Sequence, residues 1–303
     1  MTTTPPSDRP APIRRVGIVA KAHLFEAAAL LTELAAWLEA RGLEPVFDTA
    51  TFALAEGATP RATADRDDLP QRVDLLLVLG GDGTLIGMAD RMGRTGTSVP
   101  ILGVNFGSLG FLTEITLAEL YPALEAALAG TLPVEPRLVL HGQVQRGGTT
   151  LADEFALNDV VVTRGARAPI IDLSVSVDDE FLTRVKADGL IVATPTGSTA
   201  YNLAVSGPII HPHVDAFTIT PIAPHTLTNR PIVIPDSHTV RIEPLVSDRH
   251  PDIYVTFDGQ AGLQLAPGDV VVVRRAAHRI RLVRSPQRSY FDILRQKLKW
   301  GER

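Results

Sequence analysis

The chain has 303 residues, of which 45% are hydrophobic and 21% are charged, and its formal net charge is −5. This composition is typical of a globular protein, and the length is typical of about two domains. The acidic balance argues against nucleic-acid and anionic-membrane partners, because both normally require a basic face. The absence of cysteine excludes disulfides, thiolate nucleophiles and zinc–sulfur sites.

The N-terminal segment and the lengths of the apolar runs bear on the cellular location of the protein. No run of about 18 apolar residues occurs, so no membrane-spanning helix is expected. Residues 1–13 are rich in Thr and Pro and lack an apolar block, which predicts a flexible tail rather than a signal peptide. We therefore expect a cytoplasmic protein.

The first half of the chain alternates between strand-like and helix-like patterns. Val16–Ala20 is a short apolar run followed by apolar residues at helical spacing. Val73–Leu79 is almost wholly apolar, which is typical of a strand covered on both faces of a parallel sheet. Thr116 and Glu119 form a capping box that predicts the start of a further helix. These patterns predict a doubly wound, Rossmann-like α/β domain over residues 14–133.

From about Val134 the apolar period falls toward two residues, which indicates strands. Two alternating segments flank Asp178 and Asp179, which predicts a hairpin with its turn at that pair. Other strand-like segments follow with Gly and Pro between them, namely Leu138–Val144, Val160–Thr163, Ile191–Ala193, Ile253–Phe257 and Val270–Arg274. We predict a C-terminal all-β sandwich domain over residues 134–284. Over residues 285–303, apolar residues at helical spacing predict a short helix that packs back on the first domain.

A glycine cluster follows the predicted strand at Val73–Leu79. It comprises Gly80, Gly81, Asp82, Gly83 and Thr84, where backbone N–H groups and a helix N-terminus can receive phosphate oxygens. The alternative is a plain tight turn. The cluster matches neither a Walker A motif nor a Rossmann fingerprint. A carboxylate inside a phosphate loop indicates phosphoryl transfer, because it would repel a pyrophosphate unless a magnesium ion or a substrate hydroxyl lay between them.

A second signal is the run from Asp188 to Asn202, in which an apolar strand leads into a loop dense in small hydroxyl side chains. Such donors suit ribose and phosphate groups. The alternative is a Ser/Thr-rich turn whose hydroxyls bond its own backbone. Tyr201 suits stacking on a base, although a buried tyrosine is equally ordinary in a sandwich.

These segments, in this order, resemble the successive motifs of bacterial NAD kinases, and the resemblance covers nearly all of the chain after residue 14. The segments that carry it are Gly80–Thr84, Gly103–Thr113, Asn158-Asp159, Asp188–Asn202, Asp258-Gly259-Gln260 and Ser289–Arg295. The glycine cluster alone is shared with phosphofructokinases and lipid kinases, whereas the Asp188–Asn202 run is specific. The resemblance implies an ATP-dependent phosphotransferase that acts on the ribose 2′-hydroxyl of NAD to give NADP.

The resemblance also implies roles for particular residues. Asp82 corresponds to the proton acceptor, with Gly83 beside it against the dinucleotide. Asn158 and Asp159 correspond to the pair that binds ribose hydroxyls. Further NAD contacts are implied for Lys186, Asp188, Thr199, Ala200, Tyr201, Asn202, Leu203, Ala204 and Gln260. The chain departs from the family pattern at Pro169 and within Ala204–Gly207.

The chemistry of Asp82 follows from general principles as well. A carboxylate within hydrogen-bond reach of a hydroxyl can orient it and accept its proton as the phosphoryl group transfers. We find no sequence motif for a dedicated metal cage, so Mg²⁺ or another divalent cation is expected to arrive with ATP. The family resemblance further suggests a homo-oligomer, a dimer or a tetramer.

Two other functions remain open at this point. A lipid or sugar kinase with the same glycine cluster would share Asp82 but would not need Asp159 or the Asp188–Asn202 run. A regulator that binds the dinucleotide without catalysis would keep the binding residues and form no product.

Overall fold

A computed structural model describes residues 12–55, 61–166, 168–226, 228–245, 252–260 and 262–301. They group into two compact units. The α/β unit comprises the described residues up to Leu85, Val99–Glu135 and the described residues from Arg281 onward. The sandwich unit comprises Ile86–Ser98 and the described part of Pro136–Ile280. The tail predicted over residues 1–13 lies almost entirely outside the described residues.

The described residues form twenty strands and seven α-helices. The strands are β1 (Arg15–Ala20), β2 (Glu44–Asp48), β3 (Ala62–Ala64), β4 (Leu75–Gly80), β5 (Pro100–Asn105), β6 (Ile115–Thr116), β7 (Val134–Arg137), β8 (Leu140–Arg146), β9 (Thr149–Ala156), β10 (Asp159–Arg164), β11 (Ile171–Val177), β12 (Glu180–Ala187), β13 (Gly189–Ala193), β14 (Ala216–Ile222), β15 (Ile232–Pro235), β16 (Val240–Pro244), β17 (Ile253–Phe257), β18 (Leu263–Leu265), β19 (Asp269–Arg275) and β20 (Ile280–Val283). The helices are α1 (Ala28–Glu39), α2 (Thr49–Phe52), α3 (Leu69–Arg72), α4 (Asp82–Thr95), α5 (Leu120–Leu128), α6 (Tyr201–Ala204) and α7 (Tyr290–Leu298).

The α/β unit is built on a sheet with the strand order β3-β2-β1-β4-β5-β20-β7. Strands β1 to β5 pair in parallel, so their carboxyl ends meet at one edge of the sheet. All six residues of β4 are buried, as its apolar run predicts. The chain continues from β1 to β2 on one side and returns to β4 on the other. This reversal is the place where parallel sheets usually bind ligands.

Helix starts in the α/β unit follow from local sequence. Thr116 and Glu119 form the predicted capping box, which opens a single 3₁₀ turn that leads directly into α5. Ser289 and Asp292 form a second capping box at the start of α7, confirming the predicted C-terminal helix. Ile293 of this helix is buried.

The sandwich unit contains two six-stranded sheets, with the orders β15-β14-β13-β10-β17-β18 and β12-β11-β16-β19-β8-β9. Their assigned pairings are antiparallel, and apolar side chains of both sheets form one buried core. The predicted hairpin is confirmed, since β11 and β12 pair on either side of Asp178 and Asp179. The predicted all-β sandwich is thus the observed architecture.

Two strands differ from the predicted domain layout. β7 and β20 lie within the residues predicted as sandwich, but both belong to the sheet of the α/β unit. β20 pairs in parallel with β5, with Leu282 opposite Ile101. The β20 segment is apolar except for Arg281, a pattern that a sandwich strand can also have, and only its pairing places it in the other sheet.

Candidate active site

The glycine cluster lies at the carboxyl ends of β4 and β5. Gly80 ends β4, is the register partner of Asn105 at the end of β5, and leads into α4, which begins at Asp82. A β-carbon added to Gly81 or Gly83 would meet no atom within 4 Å, so both glycines border open space. The loop therefore leaves room for close approach of a ligand at a helix N-terminus. The phosphate-binding role of Gly80, Gly81, Gly83 and Thr84 stays a prediction.

The Asp82 carboxylate holds the loop that follows β5. Its Oδ2 accepts the Phe111 N–H at 2.8 Å, and its Oδ1 accepts the N–H groups of Leu112 and Thr113 at 3.1 and 3.0 Å. Oδ1 also accepts the Thr113 hydroxyl at 2.9 Å. The structure thus directs this carboxylate toward residues 111–113, where a simple helix-capping role would direct it toward the first turn of its own helix.

The second group of predicted residues lies in the sandwich unit, where Asp159 opens β10. Asp159 is buried, and its carboxylate receives no hydrogen bond from the residues that the structure describes. Burial, reinforced by the negative charge of Asp258, raises the pKa of Asp159 to about 7. A buried carboxylate without a donor is costly, so this side chain is suited to accept hydroxyl groups of a ligand.

Asp258 supports the segment that carries Asn158 and Asp159. Its carboxylate accepts the backbone N–H groups of Leu157, Asn158 and Asp159 at 2.7, 2.7 and 3.0 Å. Burial raises the pKa of Asp258 to about 6, an effect that the three N–H donors oppose and that the nearby Asp90 reinforces. The sequence singled out Asp258 only as part of a motif, because nothing local shows that it reaches back about one hundred residues.

The hydroxyl-rich loop after β13 mostly bonds its own backbone. The Thr194 hydroxyl donates to the Leu157 carbonyl at 2.6 Å, and the Ser198 hydroxyl donates to the Pro195 carbonyl at 2.6 Å. The Thr199 hydroxyl donates to the Thr196 carbonyl at 3.3 Å. The alternative of a self-bonded turn therefore describes Ser198 and Thr199. Thr194 instead ties the loop to the segment that precedes Asn158.

Asn202 is fully buried and fully bonded. Its Nδ2 donates to the carbonyls of Ser198 and Pro208, while its Oδ1 accepts the hydroxyls of Thr218 and Thr220. The side chain therefore already has four hydrogen-bond partners within the protein, and its contact with NAD stays a prediction. The exposed Tyr201 and Ala204 and the half-buried Thr199, Ala200 and Leu203 leave more of their surface to solvent.

The remaining predicted contacts differ in their surroundings. Lys186 is exposed on β12, opposite Asp172. Asp188 accepts the Arg164 Nε–H at 2.5 Å, and this hydrogen bond holds the pKa of Asp188 below its usual range. Gln260 is exposed after the turn that follows β17. Arg164 went unnoticed in the sequence because it lies 24 residues before its partner.

The described residues contain no cluster of three or more His, Cys, Asp or Glu side chains arranged to hold a metal ion. Within the same residues, no helix is both long and apolar enough to span a membrane.

Comparison with known proteins shows the family. Residues 16–132 match the model of the ATP-NAD kinase N-terminal domain, and residues 157–285 match that of the ATP-NAD kinase C-terminal domain. The NAD kinase of Geotalea daltonii is 49% identical over 291 residues, which are 96% of this chain and 100% of that protein. This chain belongs to the NAD kinase family. The NAD kinase of Geobacter sulfurreducens is 50% identical with the same coverage of both chains.

Solved structures of this family are similar over most of the chain. The crystal structure of yeast NADH kinase complexed with NADH has a TM-score of 0.87 and 26% sequence identity, covering 96% of this chain and 89% of that one. An NAD kinase from Archaeoglobus fulgidus in complex with ATP shares the fold, with a TM-score of 0.72 and 23% identity over 94% of this chain and 98% of that one. The resemblance drawn from the sequence motifs is therefore confirmed.

Proposed function

We propose that this chain phosphorylates the adenosine ribose 2′-hydroxyl of NAD with ATP to give NADP. The observation that carries the proposal is the buried Asp159 carboxylate, which lacks a donor among the described residues and suits the hydroxyl groups of a ribose. Relatives named NAD kinase that match over 96% of this chain support the same substrate. An NADH kinase and an ATP complex among the similar structures fit both reactants.

Asp82 is the proposed proton acceptor. As the ribose oxygen forms its bond to the γ-phosphorus, the bond from that phosphorus to the bridging oxygen breaks, and ADP leaves with the electron pair. The hydroxyl proton passes to the Asp82 carboxylate. The loop at Gly81 and Gly83 supports this role, since it gives a phosphoryl group room beside the N-terminus of α4.

Most of the proposed NAD contacts lie in the sandwich unit, whereas Asp82 and Gly83 belong to the α/β unit. Asn158 and Asp159 bind ribose hydroxyls, and their backbone is fixed by Asp258. The remaining contacts are proposed for Gly83 and for Lys186, Asp188, Thr199, Ala200, Tyr201, Asn202, Leu203, Ala204 and Gln260. The four internal partners of the Asn202 side chain also stabilise the shape of the loop that carries these contacts.

A divalent cation, Mg²⁺ in the simplest case, is proposed to enter with ATP. Mg²⁺ usually keeps several of its waters and binds through substrate phosphates rather than in a dedicated protein cage. When bound, it neutralises charge that develops on the phosphates. We further propose that the protein acts in the cytoplasm as a homo-oligomer, either a dimer or a tetramer.

One assay tests the reaction and its alternatives. The purified chain is incubated with γ-labelled ATP and Mg²⁺ in three parallel reactions. Each reaction contains one acceptor, which is NAD, diacylglycerol or fructose 6-phosphate. We expect label in NADP only. Label in the lipid or the sugar would identify a different kinase, and NAD that binds without product would identify a regulator.

A further inference from the structure

The four donors on the Asp82 carboxylate are unequally divided between its two oxygens. Oδ1 accepts Leu112 N–H, Thr113 N–H and the Thr113 hydroxyl, whereas Oδ2 accepts Phe111 N–H alone. A carboxylate oxygen offers about two lone-pair directions. Oδ1 is therefore saturated by the protein, and Oδ2 keeps capacity for one further donor.

The direction of the Thr113 hydroxyl is fixed by Asn105. Asn105 Nδ2 donates to the Ser108 carbonyl at 2.7 Å, and its Oδ1 accepts the Gly107 N–H at 2.5 Å, so the amide has one orientation that satisfies both contacts. In that orientation Nδ2 also donates to Thr113 Oγ1 at 3.0 Å. Because the hydroxyl accepts from Asn105, its own hydrogen is left for Asp82 Oδ1.

The surroundings close the Oδ1 side of the carboxylate. Thr113 is fully buried and Asn105 nearly so. A β-carbon on Gly110 would lie 2.0 Å from Asp82 Oδ1 and 2.4 Å from Thr113 Oγ1, so only glycine permits this approach of the loop. No substrate group has space to reach Oδ1 from the side of Gly110.

We propose that Thr113, oriented by Asn105, is a positioning residue that commits Oδ1 of Asp82 to the protein and leaves Oδ2 to accept the substrate proton. This inference rests on the proposed function, in which Asp82 accepts the ribose hydroxyl proton. The proton leaves the ribose oxygen for Oδ2 as that oxygen bonds to the γ-phosphorus and ADP departs with the electron pair of the broken bond. Thr113 keeps its own proton throughout.

Three variants test the role of Thr113. Thr113→Val removes the hydroxyl at nearly constant volume and should lower kcat about tenfold with little change in the KM values for NAD and ATP, as expected for a group that acts through a proton acceptor. Thr113→Ser restores the hydroxyl and should return kcat to within about threefold of the wild type. Asn105→Asp offers only acceptors, so it should turn the Thr113 hydroxyl away from Asp82 and lower kcat as Thr113→Val does.

A matched control separates positioning from stability. Thr51 is a buried threonine of the same unit whose hydroxyl donates to Asp48 Oδ2 at 2.8 Å. Thr51→Val should lower the melting temperature about as much as Thr113→Val but keep the wild-type kcat. If both variants lose kcat in proportion to their melting temperatures, or if Thr113→Val keeps the wild-type kcat, the positioning role is overturned.

Two further results keep this inference distinct from the proposed function. A wild type that makes NADP, with an inactive Asp82→Asn and a fully active Thr113→Val, overturns the positioning role alone. An Asp82→Asn variant with the wild-type kcat overturns the proton-acceptor role and this inference with it. In a crystal structure with NAD bound, the ribose 2′-oxygen should lie within hydrogen-bonding distance of Oδ2, and its placement at Oδ1 would overturn the assignment of the oxygen.

Discussion

Asp258 and Asp159 are joined by a reciprocal pair of hydrogen bonds. The Asp258 carboxylate accepts the backbone N–H of Asp159 at 3.0 Å, and the backbone N–H of Asp258 donates to the Asp159 carbonyl at 2.9 Å. The pair fixes the backbone that presents the Asp159 side chain. Burial raises the pKa of that side chain, and the negative charge of Asp258 adds to the effect. Asp258 therefore holds the geometry of the proposed ribose site and contributes, after burial, to the raised pKa of Asp159.

This relationship predicts a dependence of stability on pH. The pKa is raised to about 7 for Asp159 and to about 6 for Asp258, against about 3.9 for aspartate in an unfolded chain. Between these pKa values the folded protein thus binds more protons than the unfolded chain. The contribution of these two groups to the free energy of unfolding should therefore be greatest below about pH 4 and should fall as pH rises through 6 and 7. Melting temperatures from pH 5 to 8 measure the effect. Asp159→Asn should flatten the decline and the exposed Asp179→Asn should not, whereas an unchanged slope in Asp159→Asn contradicts the assignment.

The kinetic role of Asp159 is tested by Asp159→Ala. Because a ribose-anchoring carboxylate contributes to ground and transition states alike, we expect KM for NAD to rise about tenfold or more while kcat changes less. Steady-state kinetics and a melting curve above pH 7 distinguish this binding role from a structural one, with Asp179→Ala as the control. An unchanged KM together with earlier melting would assign Asp159 a purely structural role.

Asp82→Asn should leave a folded protein that binds NAD but has a kcat at least about a hundredfold lower. The amide cannot accept the proton, and its NH₂ group would face the Phe111 N–H, so we also expect a loss of about 1 kcal/mol of stability. The measurements are kcat, NAD affinity and the melting temperature. Asp68→Asn makes the same change on the exposed surface of the unit and should leave kcat unaltered. A near-normal kcat in Asp82→Asn would refute the catalytic role.

Lys186 is predicted to influence the choice between NAD and NADH, which differ by one positive charge on the nicotinamide ring. Lys186→Gly should change the ratio of kcat/KM for the two substrates, because it removes a charge that we expect near the dinucleotide. Arg184 precedes it by two residues on the same strand and is also exposed, so Arg184→Gly is a matched control for the cost of glycine in β12. Equal ratios in the wild type and Lys186→Gly would remove this role.

The approach of the loop after β13 to the Asn158 backbone predicts the effect of Gly197→Ala. A β-carbon there would lie 2.1 Å from the Asn158 carbonyl oxygen, so the loop or the segment at Asn158 must move. We expect a loss of about 1–3 kcal/mol of stability and a raised KM for NAD. Gly87→Ala is the control, because its added β-carbon meets only the Arg91 guanidinium at 3.7 Å and alanine favours the helix by about 0.5–1 kcal/mol. Equal melting temperatures for the two variants would contradict the close approach.

The sequence by itself determined the features whose causes are local. The buried run of β4, the capping box at Thr116 and the hairpin at Asp178 each depend on residues within a few positions of one another. The motifs also placed the chain in its family, because residue types and their order along the chain can be read without knowledge of the fold. Interactions between neighbours along the chain are visible in the sequence because the period of a helix or strand fixes which neighbours meet.

Only the tertiary structure decided which distant groups share hydrogen bonds. Asp82 bonds residues about 30 positions later, and Asp258 bonds residues about 100 positions earlier, because strand pairing brings their backbones together. Strand pairing also places β20 beside β5, although nothing in its short apolar sequence around Arg281 specifies that neighbour. The hydrogen-bond partner of a Ser or Thr hydroxyl likewise depends on the folded path of the backbone. The order of residue types does not specify whether that partner is a ligand or a carbonyl of the same loop.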